Sequence, residues 1–327
     1  MEKLDLKDRK ILYHLDLNCR QSNAQIGKKV GLSKQVVDYR IKRMEEEGII
    51  KNYWACIDSY RFGYQVYRYY IVFQNATSEI KNKIIQELIN YKNTWVVGTI
   101  NGIYDLSIVI WIKSIPEFYH FWDGFNEKYG DYFAEKIFSV YLQADAYPLS
   151  YLLLDDYEKS DRNKYLQTTG GEEIATIDKS DYKLLYEIAE DARFPLVELA
   201  EKLNCSSQTV NYRIKNLVKN DVIQGFHVLL DNSKLGYKEF KVDIWLKEVS
   251  KRKKIWNYIK YNPYVTFINT SAGYADLEIE FTIKDSDKLI DVMEEVSSKF
   301  PGAIRKYIYW NVKKDYKLRC LPTMDFK

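Results

Sequence analysis

Apolar residues recur at helical spacing in two stretches set 173 positions apart. Between Ser33 and Glu47, Val37, Ile41 and Met44 fall within roughly 40° of one another at 100° per residue, forming one stripe. Gln35, Asp38, Tyr39, Lys42 and Arg43 occupy the other side. Between Ser206 and Asn220 the pattern returns, with Val210, Ile214 and Leu217 inward and Gln208, Asn211, Tyr212, Lys215 and Asn216 outward. Each stretch opens on a Ser placed to cap a helix by accepting an early backbone N–H. Both share Val, then Tyr-Arg-Ile-Lys two residues on.

The pattern extends around each stretch. Leu4 to Leu17 reads as a helix, with Asp5 and Asp8 at its favourable start and Ile11, Leu12 and Leu15 on one face. Ser22 caps a short helix through Val30, Gly31 makes a tight turn, Gly48 ends the next helix, and Ile49 to Ile57 reads as a strand. Helix, helix, turn, helix and strand form a winged helix-turn-helix over residues 1–60. Its third helix would enter a DNA groove. Gln, Asn, Tyr, Lys and Arg side chains donate to base edges and phosphates. The plain alternative is an amphipathic helix with a solvated face. The candidate contacts are Lys34, Gln35, Asp38, Tyr39, Arg40, Lys42 and Arg43 in the first copy. In the second they are Ser207, Gln208, Asn211, Tyr212, Arg213 and Lys215.

The rhythm then changes. Gln65 to Phe73 is a strand, Ser78 to Tyr91 a helix, Trp95 to Ile100 and Tyr104 to Ile112 strands, Ile115 to Tyr129 a helix and Ala134 to Ala146 a strand. This β-α-β-β-α-β order predicts a ferredoxin-like domain over 64–147. Its helices cover one sheet face. The other is expected to be aromatic, with Tyr67, Tyr69, Trp111 and Tyr141 as candidates, and to pack against another subunit or domain.

Residues 148–176 read as a linker, able to span on the order of 95 Å when extended, so that the halves could pair in several ways. Ile177 restarts the plan: a second winged helix over 177–232 and a second βαββαβ domain over 237–315. The strand of the second winged helix is Val222 to Leu230, and Asp221 stands where the first copy has the helix-ending Gly48. The fold class is α+β, an internal duplication of a two-domain unit.

Composition changes little. The hydrophobic fraction of 46% and charged fraction of 29% are those of a soluble globular chain. No apolar run is long enough for a membrane. Cys19, Cys56, Cys205 and Cys320 are scattered, and His14, His120 and His227 lack ligand spacing, so neither a metal site, a cofactor nor a disulfide framework is expected, in keeping with a cytoplasmic location. Charge is uneven. Residues 1–57 carry 12 Lys/Arg against 8 Asp/Glu, while 177–230 carry 7 against 8. The first head is therefore the stronger electrostatic candidate for double-stranded DNA.

The S-x-x-x-V-x-x-R-I-K stretch, followed by Gly48-Ile49-Ile50 and Phe62-Gly63-Tyr64, resembles the Lrp/AsnC (feast/famine) transcription regulators. The second copy matches with Ser206, Val210, Arg213, Ile214, Lys215, Val222-Ile223 and Leu235-Gly236-Tyr237. The resemblance implies a DNA-binding regulator whose β-domains (RAM domains) pair through their sheets, giving an intrachain pseudo-dimer and homo-oligomers through the sheet faces. It also implies an amino-acid effector near a G-x-x-D turn. Here those turns are Gly102 to Asp105 and Gly273 to Asp276, with Gly102, Asp105, Gly273 and Asp276 as the effector-binding candidates. The alternative is a plain hairpin turn capped by Asp. Because the two outward helices differ, an imperfectly palindromic DNA site is expected.

Two rival readings share the scaffold. Sirohaem decarboxylases are enzymes of this architecture, but the strands around Gly102 and Gly273 contain no His. A third reading is an interaction protein with one degenerate DNA-binding half. The regulator reading assigns no catalytic residue.

Overall fold

The computed structural model describes residues 4–318 and 321–323, which leaves Cys320 outside. Eleven strands and eleven α-helices appear among the described residues. The first head contains α1 (Leu6–Leu17), α2 (Asn23–Val30), α3 (Lys34–Glu46) and β1 (Ile50–Ile57). The first β-domain contains β2 (Gln65–Phe73), α4 (Ser78–Asn90), β3 (Thr94–Asn101), β4 (Leu106–Ile112), α5 (Ile115–Tyr129) and β5 (Phe133–Ala146). A connecting strap holds α6 (Asp161–Lys164) and β6 (Gln167–Gly170). The second head follows with α7 (Lys179–Glu190), α8 (Leu196–Lys202), α9 (Ser207–Lys219) and β7 (Ile223–Leu230). The second β-domain contains β8 (Lys238–Leu246), α10 (Arg252–Ile259), β9 (Val265–Ala272), β10 (Leu277–Ile283), α11 (Ser286–Lys299) and β11 (Ile304–Leu318).

The two β-domains close on each other. Neighbouring strands run β2-β4-β3-β11-β8-β10-β9-β5, and β5 returns to β2, so eight strands form an antiparallel barrel. The last strand of each half is the staple. β5 completes its own sheet and then pairs with β9 from Val140 to Ala146. β11 pairs with β8 and then with β3 from Asn311 to Leu318. Closure removes the exposed strand edges that would invite pairing with other chains.

This geometry corrects the expected aromatic face. Tyr67 and Tyr69 lie on the helix-covered side, where Tyr69 stacks on Trp122 of α5 with ring centroids 3.6 Å apart. Trp111 and Tyr141 lie on the other side with Val66, Arg68 and Tyr70, facing the barrel interior. That face is covered by the second half of the same chain. It is therefore not a free surface for homo-oligomers, because the intrachain pseudo-dimer consumes it.

The barrel interior is charged, which is uncommon for a filled barrel. Glu278 is fully buried and accepts from Arg68 Nη2 at 2.8 Å, from Lys241 Nζ at 2.7 Å and from Ser271 Oγ at 2.6 Å. Arg68 and Lys241 both also donate to Tyr141 Oη at 2.7 Å. Burial raises the Glu278 carboxyl, but Arg68 and Lys241 outweigh it and hold it well below the carboxylate range. Beyond this layer, Asp243 accepts from Tyr274 Oη and Trp310 Nε1, each at 3.0 Å, and Tyr104 meets Tyr274 at 2.7 Å.

The strap is ordered and does not act as a free linker. Arg162 is fully buried and donates to the carbonyls of Val265 at 2.7 Å and Pro148 at 3.2 Å, and to that of Lys260. β6 continues the β2 edge along β5. Gln167 Oε1 accepts from His227 Nε2, 2.7 Å away, and its amide lies where a Cβ on Gly225 would sit, so glycine there leaves room for that approach. The pairing of the halves is thereby a single arrangement. Among the described residues no helix is long and apolar enough to cross a membrane.

Candidate nucleic-acid interface

The two heads pair through their strands. β1 and β7 form an antiparallel two-stranded sheet, with Tyr53 opposite Val228 and Ala55 opposite Phe226. Each wing is thus one strand, completed by the other copy. One core runs through both heads and into the near end of the barrel, joining Ile11, Met44, Leu184 and Leu217 to Val66 and Trp111.

The third helix of each head is built as its period predicts. Ser33 caps α3 by accepting from Val36 N–H, and Ser206 caps α9 by accepting from Thr209 N–H. Val37, Ile41 and Met44 are buried in α3, and Val210, Ile214 and Leu217 in α9. The opposite faces are open. Lys34, Gln35 and Lys42 are exposed and Tyr39 is 68% exposed; Gln208 and Lys215 are exposed and Tyr212 is 71% exposed. Ser207 and Asn211 are half-buried at the edge of that face. After α3 the chain turns with Gly48 at φ +65°, and after α9 with Asp221 at φ +54°, so Asp221 adopts the backbone that glycine serves in the first copy.

Four residues assigned to this face are tied elsewhere. Arg40 bridges Asp5 at 2.7 Å and Asp8 at 2.8 Å, and Arg43 bridges Asp8 at 2.7 Å. Arg213 repeats the arrangement with Asp178 at 2.9 Å and Asp181 at 2.6 Å. These carboxylates also form the capping boxes of α1 and α7. Burial raises the Asp5 carboxyl, but the Asp8 backbone N–H and Arg40 bring it below its ordinary value. The arginines therefore fasten the third helix to the first. Asp38 is bonded to Asn23 of α2.

The G-x-x-D turns lie at the barrel end away from the heads. Asp105 accepts from Phe73 N–H at 2.8 Å, and Asp276 from Leu246 N–H at 2.7 Å. Both carboxylates close a strand end. Gly102 lies where an added Cβ would come within 2.7 Å of Trp310 Cβ, so this turn is pressed onto the other half. The tyrosines in these turns, Tyr104 and Tyr274, were not among the sequence candidates, yet they carry the contact between the turns.

Two winged helices, each with an open polar face on its third helix, define a protein of the winged helix-turn-helix DNA-binding class. The winged helix-turn-helix DNA-binding family model matches residues 4–51 and 177–224. Ptr1, an HTH-type transcriptional regulator of Methanocaldococcus jannaschii, is 30% identical over 141 residues, covering 42% of this chain and 84% of its own. An uncharacterized HTH-type regulator of Pyrococcus furiosus is 38% identical over 102 residues, 31% of this chain and 68% of its own. LrpA of Pyrococcus horikoshii is 26% identical over 129 residues, 39% and 92% respectively. The chain belongs to the Lrp/AsnC family of HTH-type transcriptional regulators, as a tandem duplication of its winged-helix and β-domain unit. Over nearly its full length the fold is similar to the siroheme decarboxylase NirDL, with TM-score 0.63 at 12% identity, covering 98% of this chain and 94% of that one.

Proposed function

We propose that one chain presents two unequal recognition helices to an imperfectly palindromic duplex site. Lys34, Gln35, Tyr39 and Lys42 would serve one half-site, and Ser207, Gln208, Asn211, Tyr212 and Lys215 the other. The observation that supports this reading is the pair of open polar faces, each backed by a buried Val-Ile-Met or Val-Ile-Leu stripe. Arg40, Arg43 and Arg213 act as positioning groups in this reading, since their charge is already matched. Lysines supply phosphate affinity, whereas Gln, Asn and Tyr supply base discrimination. Titration of the chain against duplex fragments at several salt concentrations tests it. Binding with a salt slope of about −0.9 per phosphate contact supports the reading. Equal affinity for all sequences contradicts it.

An amino-acid effector belongs to the same reading as its regulatory half. With Asp105 and Asp276 engaged, recognition at these turns would fall to backbone groups beside Gly102 and Gly273. Calorimetric titration with each amino acid decides this, and silence with all of them removes the effector. A second reading rests on the whole-chain superposition with NirDL. Mixing the protein with sirohaem and recording its absorption tests that reading; an unchanged spectrum removes it.

A further inference from the structure

Two equivalent arginines cross between the heads, and they do unequal work. Arg20 follows α1 and Arg193 follows α7, 173 positions later. Arg20 donates hydrogen bonds to backbone carbonyls alone, those of Ala192 at 2.7 Å and Phe194 at 3.2 Å, and its guanidinium lies over the Phe226 ring, 5.7 Å from the centroid, which leads to no polar group of α9. Arg193 reaches side chains that lead to α3. Its Nη2 donates to Asn23 Oδ1, and Asn23 Nδ2 donates to Asp38 of α3. Its Nη1 donates to Tyr53 Oη at 3.2 Å, and Tyr53 donates to Glu45 of α3 at 2.6 Å.

We propose that Arg193 of the second head is a positioning residue for DNA reading by the first recognition helix. Asp38 and Glu45 lie about two helical turns apart, so the two relays hold α3 at separated points. Two holds fix both the rotation and the tilt of a helix, which a single one cannot. The second head has no equivalent. Leu196, Phe226 and Val218 stand where Asn23, Tyr53 and Glu45 stand in the first. Among the described residues, side-chain relays of this kind therefore run one way, from the second head onto α3; the first half reaches the turn after α9, where Arg61 pairs with Asp221 at 3.6 Å. Base-edge contacts need donors placed to within a fraction of an ångström, so a loosened α3 loses discrimination before it loses phosphate attraction.

This inference rests on the DNA-binding reading of α3, and the test separates the two. Full-length Arg193→Met is compared with Arg20→Met and with wild type. On the free protein, hydrogen exchange of the α3 amides is expected to quicken several-fold in R193M, with α9 unchanged, and to stay at wild-type rates in R20M. On DNA, discrimination against base changes under α3 is expected to fall on the order of 5-fold in R193M. Discrimination under α9 and the salt slope are expected to hold, a split that general destabilisation would not give. Asn23→Ala is expected to reproduce part of the loss and to add little to R193M. If wild type binds DNA while R193M keeps wild-type α3 exchange and discrimination, or loses discrimination equally at both half-sites, the proposal is overturned and the DNA reading stands. If wild type binds no duplex, both fall.

Discussion

Replacing Glu278 by Gln is the most informative perturbation of the barrel. The carboxylate has no exposed surface, and it is the shared acceptor for Arg68 and Lys241. Gln keeps the shape and one acceptor oxygen but removes the charge that Arg68 and Lys241 share, leaving Lys241 the more distant Glu280 at 3.7 Å. Breaking a buried ion pair from one side costs about 3–5 kcal/mol, because the remaining charge stays desolvated and unmatched. Here two cations from opposite halves would be left facing each other. The loss should therefore sit at the upper end of that range and should be read at the junction of the halves. The assay is urea unfolding followed by tryptophan fluorescence and circular dichroism. The depressed Glu278 pKa gives a second arm. An acid with a folded pKa below its unfolded value adds stability above the unfolded pKa, and that stability is lost as pH falls through the folded one. Wild type should weaken below about pH 4.5, and E278Q should lack that part of the acid limb. Replacing Arg68, Lys241 and Glu278 together by Met should be far less costly than E278Q, since apolar substitution of a whole buried cluster is often neutral. A loss under about 1 kcal/mol in E278Q would refute the claim that this cluster is desolvated and mutually dependent.

Asp243→Asn should act in the opposite sense. Burial, and then the charge of Glu278, push the Asp243 carboxyl up to about 6, so its contribution is present at low pH and lost as pH rises from about 4 through 6. The variant should be more stable above pH 6 by on the order of 1 kcal/mol and show a flatter profile, read by thermal melts across that window. Asp221→Gly should raise stability by about 0.5–1 kcal/mol, since glycine adopts the left-handed turn without strain; unchanged or lower stability would contradict the backbone argument. Lys34→Glu with Lys42→Glu should weaken duplex binding and flatten its salt dependence more than Lys215→Glu, measured by fluorescence anisotropy.

The heads were legible because their cores are one-sided: Val37, Ile41 and Met44 leave a clean stripe against polar neighbours. The faces of β2 were not. Apart from Gln65 and Arg68 its residues are apolar or aromatic on both sides, because one side lies under α5 and the other inside the barrel. A two-residue period carries no direction when both faces are buried. The useful signal was Arg68, with Lys241 at the equivalent place in the second half. A charge in the middle of a strand marks a face with a specific partner. The strap looked loose because its order comes from distant carbonyls gripped by Arg162, which local composition does not report. The fastening of Arg40 and Arg213 was readable in principle. Both copies keep an acidic pair, Asp5 with Asp8 and Asp178 with Asp181, at the start of the first helix.

Hydroxyl-radical footprinting of the wild-type chain on a selected duplex, at a protein concentration where sizing shows single chains, bears most directly on the regulator assignment. The two-headed arrangement predicts two protected segments about one helical turn apart, with different sequence under each, and loss of the first segment when Lys34 and Lys42 are reversed. Protection of one segment only, perfect two-fold symmetry from one chain, or a footprint indifferent to those lysines would contradict it.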